Sequence, residues 1–202
     1  MEEKNIEISE ENGCDVKPAA EENINASESA LPSGYIPKTG YEKMLLRVYE
    51  DRKTALMLKT ASISIVAVTV LAFAVHLLEL FLTDHLLLLE TLIITGVPFI
   101  ALSVMRVLVD APRPYELLPF YEKRPKDKCG RSFPSRHVFS VFVIGAVIMP
   151  SSILLGLVLL LLGACLAVFR VLLGIHFIRD VVAGALMGAV SGAVGLLAIM
   201  LI

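Results

Sequence analysis

Eight side chains in the second half of the chain are of the types that phosphoryl transfer through an imidazole needs. They fall in three clusters: Arg106 followed by Arg113-Pro114, then Pro134-Ser135-Arg136-His137, then Arg170 followed by His176 and Asp180. Such chemistry requires cations for phosphate oxygens, a nucleophile, a carboxylate to orient it and a proton donor. The surrounding chain is mostly apolar, and charge in such a setting is costly unless it has a partner or a role.

Each cluster has a chemical and a plain reading. His176 and Asp180 are four residues apart, which on a helix puts them on one face. A carboxylate bonded to one imidazole nitrogen fixes the tautomer and leaves the other nitrogen free to attack. The plain alternative is a surface ion pair. Pro134-Ser135 precedes an apolar run and reads as a helix start, where free N–H groups and the helix dipole favour a phosphate. Ser135 would add a hydroxyl, Arg136 a cation and His137 a proton donor near neutral pH. The alternative for Ser135 is an N-cap alone. Arg113 is flanked by Pro112 and Pro114, which restrict the backbone and aim the side chain. Arginine stays charged and grips phosphate bidentately. Arg106 by itself reads more readily as a positive charge at the end of a membrane span.

The elements that must position these groups follow from composition. The chain has 202 residues, 56% of them hydrophobic, and a mean hydropathy of +0.74, beyond what a soluble domain of this size carries. The expected fold is all-α: a polytopic membrane helix bundle of about five transmembrane helices. Expected spans are 61–82, 86–105 with Pro98 inside it, 138–149, 153–173 and 180–202. Runs of about 20 residues cross a hydrocarbon core of roughly 30 Å. The third is short for this unless its polar first turn is also buried.

Residues 1–40 are acidic and poor in aromatics, and are expected to be a disordered tail. Residues 41–58 form a juxtamembrane segment. Tyr41, Met44, Leu45, Val48 and Tyr49 repeat there at helical spacing, as in an amphipathic helix on the membrane surface or a plain extension of the first span. Residues 59–202 make up the membrane-embedded domain. No signal peptide is visible in the first thirty residues. Cys14, Cys129 and Cys165 lack metal-ligand spacing and read as unpaired. No metal site is predicted. Gly184, Gly188 and Gly192 form a small-residue face, suited to packing within the chain or, alternatively, to a homodimer. His76 and His85 lie near Glu79, Asp84 and Glu90 and read as interfacial polar residues.

Span counting places the three clusters together. Two spans precede the first cluster, none separates it from the second, and two separate the second from the third. Residues 106–137 and 170–180 therefore share one side of the membrane. The basic residues lie on that side, in groups at 38–59, 106–136 and 170–179, and the turns at 83–85 and 150–152 have none. The positive-inside rule then favours a cytoplasmic site in an integral protein of the cell membrane, with an outward-facing site as the alternative. The basic excess reads as topology and phosphate binding; no nucleic-acid partner is expected.

A basic residue, six residues and Arg-Pro, then Pro-Ser-x-His, then Arg-x5-His-x3-Asp: this order and spacing resembles the type 2 phosphatidic acid phosphatase family. That family shares its site with vanadium haloperoxidases and class A acid phosphatases. The resemblance covers roughly residues 61–202. It implies a membrane phosphatase acting on a lipid phosphomonoester or isoprenyl diphosphate through a phosphohistidine intermediate, without a metal or other cofactor. Undecaprenyl diphosphate, phosphatidic acid and phosphatidylglycerol phosphate all fit. It implies that His176 is the nucleophile, Asp180 its orienting partner and His137 the general acid, with Arg106, Arg113, Ser135, Arg136 and Arg170 binding phosphate. The chain departs from the family's pattern in three ways. Arg106 stands where Lys is usual, Phe169 stands where Ser often precedes the arginine, and five spans replace six. Arg136 occupies a position that is commonly Gly. A non-enzymatic small transporter or binding module would explain the basic span ends but not their joint spacing with the histidines and Asp180. A vanadate-holding haloperoxidase is disfavoured by the membrane spans.

Overall fold

The computed structural model describes residues 39–117 and 129–201 of the chain, apart from the side chain of Met200. The expected acidic tail lies outside the described residues except for its last two positions. The described residues form six α-helices and no strand: α1 (Gly40–Glu50), α2 (Arg52–Thr83), α3 (His85–Val109), α4 (Arg136–Ile148), α5 (Ile153–Leu172) and α6 (Ile178–Leu201), with one 3-10 turn at Pro114–Glu116.

Polar caps punctuate the chain. Thr39 accepts a bond from the Glu42 N–H at the start of α1. Asp51 closes α1, and its carboxylate accepts from Lys53 and Thr54 at the start of α2. The expected juxtamembrane helix is thus broken at Asp51. Asp84 alone separates α2 from α3 and caps α3 through the N–H groups of Leu86 and Leu87. Capping of this kind satisfies donors that a helix start would otherwise leave open.

Four helices, α2, α3, α5 and α6, are long and apolar enough to cross a membrane. The protein is an integral membrane protein. Leu71, Leu108, Leu154 and Leu186 stand exposed along these helices, as lipid contact requires. The expected third span differs. At 13 residues, α4 is about 20 Å long and is the most enclosed helix, with Val138 and Phe139 fully buried and Val141 and Ile148 nearly so. It is a central post rather than a lipid-facing span. The expected count of about five is met by four long helices and this short one.

Lipid tails are as apolar as leucine, so close packing rather than exclusion of water holds α4 in place. Gly184, Gly188 and Gly192 of α6 make that approach possible. A Cβ on Gly184 would stand 2.6 Å from the Ser135 carbonyl oxygen, and one on Gly188 would stand 2.5 Å from that of Phe139. The glycine face is therefore occupied by α4 of the same chain, which takes the surface considered above for a homodimer. On the other side of α4, Gly156 of α5 crosses Gly145, where a Cβ would lie 2.8 Å from the Gly145 carbonyl oxygen. Gly184→Ala and Gly188→Ala are each expected to destabilise the fold by about 1–3 kcal/mol. Thermal unfolding in detergent checks this, and an unchanged melting temperature for Gly188→Ala would contradict the packing.

Cys165 is free, as expected. Cys129 is disulfide-bonded, against the expectation of unpaired cysteines. His76 is buried in α2 with Nδ1 3.9 Å from Glu79, and His85 opens α3. Both lie toward the turn between α2 and α3, at the opposite end of these helices from Arg106.

Candidate active site

The three clusters converge where the last turn of α3, the first turn of α4, the last turn of α5 and the first turn of α6 meet. The third cluster is built by a tight reversal. Gly174 takes a left-handed φ of 65°, which ends α5 without the strain a side chain would add. The N–H groups of Ile175 and His176 then return to the Arg170 carbonyl at 3.1 and 3.3 Å. The six-residue step from Arg170 to His176 is thus a closed turn.

Asp180 is fully buried in the first turn of α6. Its Oδ2 accepts the Phe177 N–H at 3.0 Å, the reach-back of an acidic residue to the residue that opens its helix. The same oxygen lies 3.7 Å from His176 Nδ1, too far for a good hydrogen bond. Between them sits Ser132, also fully buried. Its Oγ is 2.5 Å from Asp180 Oδ2 and 3.3 Å from His176 Nδ1. Ser132 is absent from the residues singled out in the sequence, which offers no spacing signal for it. Burial holds His176 below the usual histidine pKa, while Asp180 pulls the other way. Burial thus favours the neutral imidazole.

The second cluster is docked on the third through the Ser135 N–H, which donates to the Asp180 carbonyl at 2.9 Å. Ser135 is the N-cap residue of α4, yet its side chain makes no capping bond. Its hydroxyl is buried and unpartnered, as is Nε of Arg170. Buried polar atoms without partners are rare and call for an explanation. The capping role considered for Ser135 does not supply one. His137 lies within the electrostatic reach of Arg170, His176, Arg136 and Arg106.

Arg106 is placed differently from the other arginines. It is buried in the last turn of α3 rather than in the following loop. Its guanidinium donates to the carbonyls of Arg131, Ser132 and Pro134, so much of its donor capacity holds the segment leading into α4. Arg113 Nε donates to the Gly130 carbonyl at 3.0 Å, and Glu116 accepts the Gly130 N–H at 2.7 Å. The Ser132 N–H meets the Ala111 carbonyl at 2.8 Å, and the Tyr115 N–H meets that of Gly174 at 3.3 Å. These bonds sew the first cluster to the other two.

The helix α1 backs the third cluster. Leu45 is buried beside Gly174, where an added Cβ would meet its Cδ atoms at 3.4 and 3.8 Å. The Tyr41 ring lies 6.4 Å from that of Phe177. Its hydroxyl is buried without a partner, and burial, with the Asp180 charge added, pushes its pKa up to about 12. A cavity of about 200 Å³ opens beside the site among Val66, Thr69, Phe99, Arg136, His137, Ser140 and Val141. No group of three or more His, Cys, Asp or Glu able to hold a metal occurs among the described residues.

The family model described as "PAP2 superfamily" matches residues 84–200. The Bacitracin transport permease protein BcrC of Bacillus licheniformis is 33% identical over 89 residues, which make up 44% of this chain and 44% of that protein. The matched stretch is thus less than half the length of that curated relative. Among solved structures, the crystal structure of Aquifex aeolicus LpxE matches with a TM-score of 0.57 at 20% identity, covering 76% of this chain and 93% of that one. At that identity the likeness is one of fold.

Proposed function

The chain belongs to the PAP2 superfamily, and from that premise we propose that it hydrolyses a lipid phosphomonoester or diphosphate through a phosphohistidine at His176, without a metal. The observation that carries this reading is the pair of buried, unpartnered groups, Ser135 Oγ and Arg170 Nε, beside two histidines at a helix start. A phosphate seated there would satisfy both, and it would meet the first N–H groups of α4. Arg113, Arg136 and Arg170 supply charge to its oxygens, and Arg106 contributes by holding the loop in which Ser132 and Pro134 lie.

The reaction has two steps. His176 Nε2 attacks phosphorus, the bond to the leaving oxygen breaks, and His137 gives that oxygen a proton. Water then attacks the phosphohistidine, His137 takes a proton back, and phosphate leaves. The negative charge of the bound phosphate offsets the arginine field around His137 and so permits it to carry the proton. A lipid substrate suits a site at the end of lipid-facing helices, beside a largely apolar cavity that reaches His137.

Phosphate release from a panel of lipid phosphates and isoprenyl diphosphates by the purified protein tests the reading. Activity is expected to survive saturating EDTA, because arginines and a helix N-terminus supply the charge that a metal would otherwise give. Loss on chelation, restored by Mg²⁺ or Zn²⁺, would point to another phosphatase chemistry.

We further propose that the site faces the cytoplasm of a cell whose plasma membrane holds the protein. Support comes from the basic residues on the site side and their lack at 83–85 and 150–152. The disulfide at Cys129 favours the opposite reading, because such bonds persist in oxidising compartments. A cysteine in place of the exposed Leu117, with the native cysteines removed, decides between them. Protection from a membrane-impermeant thiol reagent in intact cells, with labelling after lysis, is expected. Labelling in intact cells would place the site outside.

A further inference from the structure

We propose that Ser132 is a positioning residue that links Asp180 to the nucleophile, so that the carboxylate sets the His176 tautomer through a serine hydroxyl in addition to its direct approach. This rests on the reading of His176 as nucleophile. The inference comes from counting protons. Oδ2 of an ionised Asp180 can only accept, so the hydrogen in the 2.5 Å contact with Ser132 Oγ belongs to the serine. A hydroxyl has one hydrogen. Toward His176 Nδ1, 3.3 Å away, Oγ therefore offers only lone pairs. Nδ1 must then be the protonated nitrogen, which leaves the Nε2 lone pair for phosphorus. The direct path is longer, at 3.7 Å between Nδ1 and Oδ2, and Oδ2 already accepts the Phe177 N–H.

Ser132 is held for this task from both sides of its peptide unit. Its N–H is fixed to the Ala111 carbonyl. Its own carbonyl accepts from Arg106, which grips Arg131 and Pro134 as well. With the residue fully buried, no water competes for its hydroxyl. When phosphorus bonds to Nε2 the ring becomes cationic, and the same chain of two hydrogen bonds carries the stabilisation from Asp180.

The test combines kinetics with a direct view of the tautomer. The chain has 4 histidines, so protein labelled with ¹⁵N at histidine yields a small set of ring signals, assigned by a His176→Gln control. Wild type is expected to show His176 protonated at Nδ1, and Ser132→Ala a mixture of tautomers. Loss of a hydrogen bond to a charged group lowers kcat by about 10- to 100-fold, with KM changed less than about twofold because the phosphate-binding groups are untouched. Ser132→Thr, which keeps the hydroxyl, should restore the Nδ1–H tautomer. In an Asp180→Asn background, Ser132→Ala should cost little more, since both act along one path. Unchanged kcat and tautomer in Ser132→Ala, or full additivity with Asp180→Asn, would overturn the proposal. If no phosphoenzyme forms on His176 in the wild type, the underlying reading fails instead. If it forms there but Ser132→Ala is silent, only the serine link fails.

Discussion

His176→Ala abolishes turnover: kcat is expected to fall by about 10⁴-fold or more, as when an enzyme loses a nucleophile that forms a covalent intermediate. No labelled phosphoenzyme should be trapped on rapid acid or alkaline quenching. His137→Ala provides the contrast. It removes the proton donor but leaves Nε2 of His176 in place. Phosphoenzyme should still form from an ester with a good leaving group such as p-nitrophenolate, and slowly or not at all from an alkyl phosphate. The two histidines thus separate by substrate as well as by size of effect. A phosphoenzyme that survives His176→Ala would exchange their roles or exclude both.

Asp180→Asn is expected to lower kcat by about 10³- to 10⁴-fold while the protein still folds. Its buried Oδ2 accepts from the Phe177 N–H and the Ser132 hydroxyl, and an asparagine oxygen in that place can accept both. The start of α6 should therefore persist, and expression and melting temperature should change little. The negative charge is lost. On the proposed mechanism, the imidazolium of a phosphorylated His176 then loses its stabilising carboxylate. A variant that unfolds would show that the carboxylate is needed first for the helix. A variant with near wild-type kcat would remove Asp180 from the chemistry.

Much of this arrangement is legible in the chain before any coordinates. The apolar runs and their polar breaks mark the long helices, because a bilayer admits few alternatives for an apolar run of about 20 residues. An even number of spans between motifs requires them to share a side. Residue type and spacing single out Ser135, His137, Arg170, His176 and Asp180, but the expectation of one helical face for the last two is corrected: His176 lies in the turn before α6 and approaches Asp180 across the helix start. What escapes is set by contacts distant in sequence. Ser132 is an ordinary serine until residues 132 and 180 are brought together. Arg106 reads as a phosphate ligand, and only the path of 131–134 across it shows a clamp on backbone carbonyls. The amphipathic stripe of Tyr41 and Leu45 shows that α1 has an apolar face but not what covers it; the turn at Gly174 does. The shortness of α4 is visible in its run length, whereas its central position follows from glycines on two other helices.

Those glycines have a consequence for how this protein can vary. The start of α4, which carries His137, and the start of α6, which His176 just precedes, are spaced by main chain lying directly on main chain, with Gly184 against the Ser135 carbonyl and no side chain between. A gauge of that kind does not depend on the size of any residue that faces lipid. Leucine, valine and isoleucine on the outer surfaces of α2, α3 and α5 can drift with the thickness and fluidity of the host membrane while the distance between the two histidines stays put. The outer coat can follow the bilayer, and the metrology of the site is kept by residues that have no side chain to change.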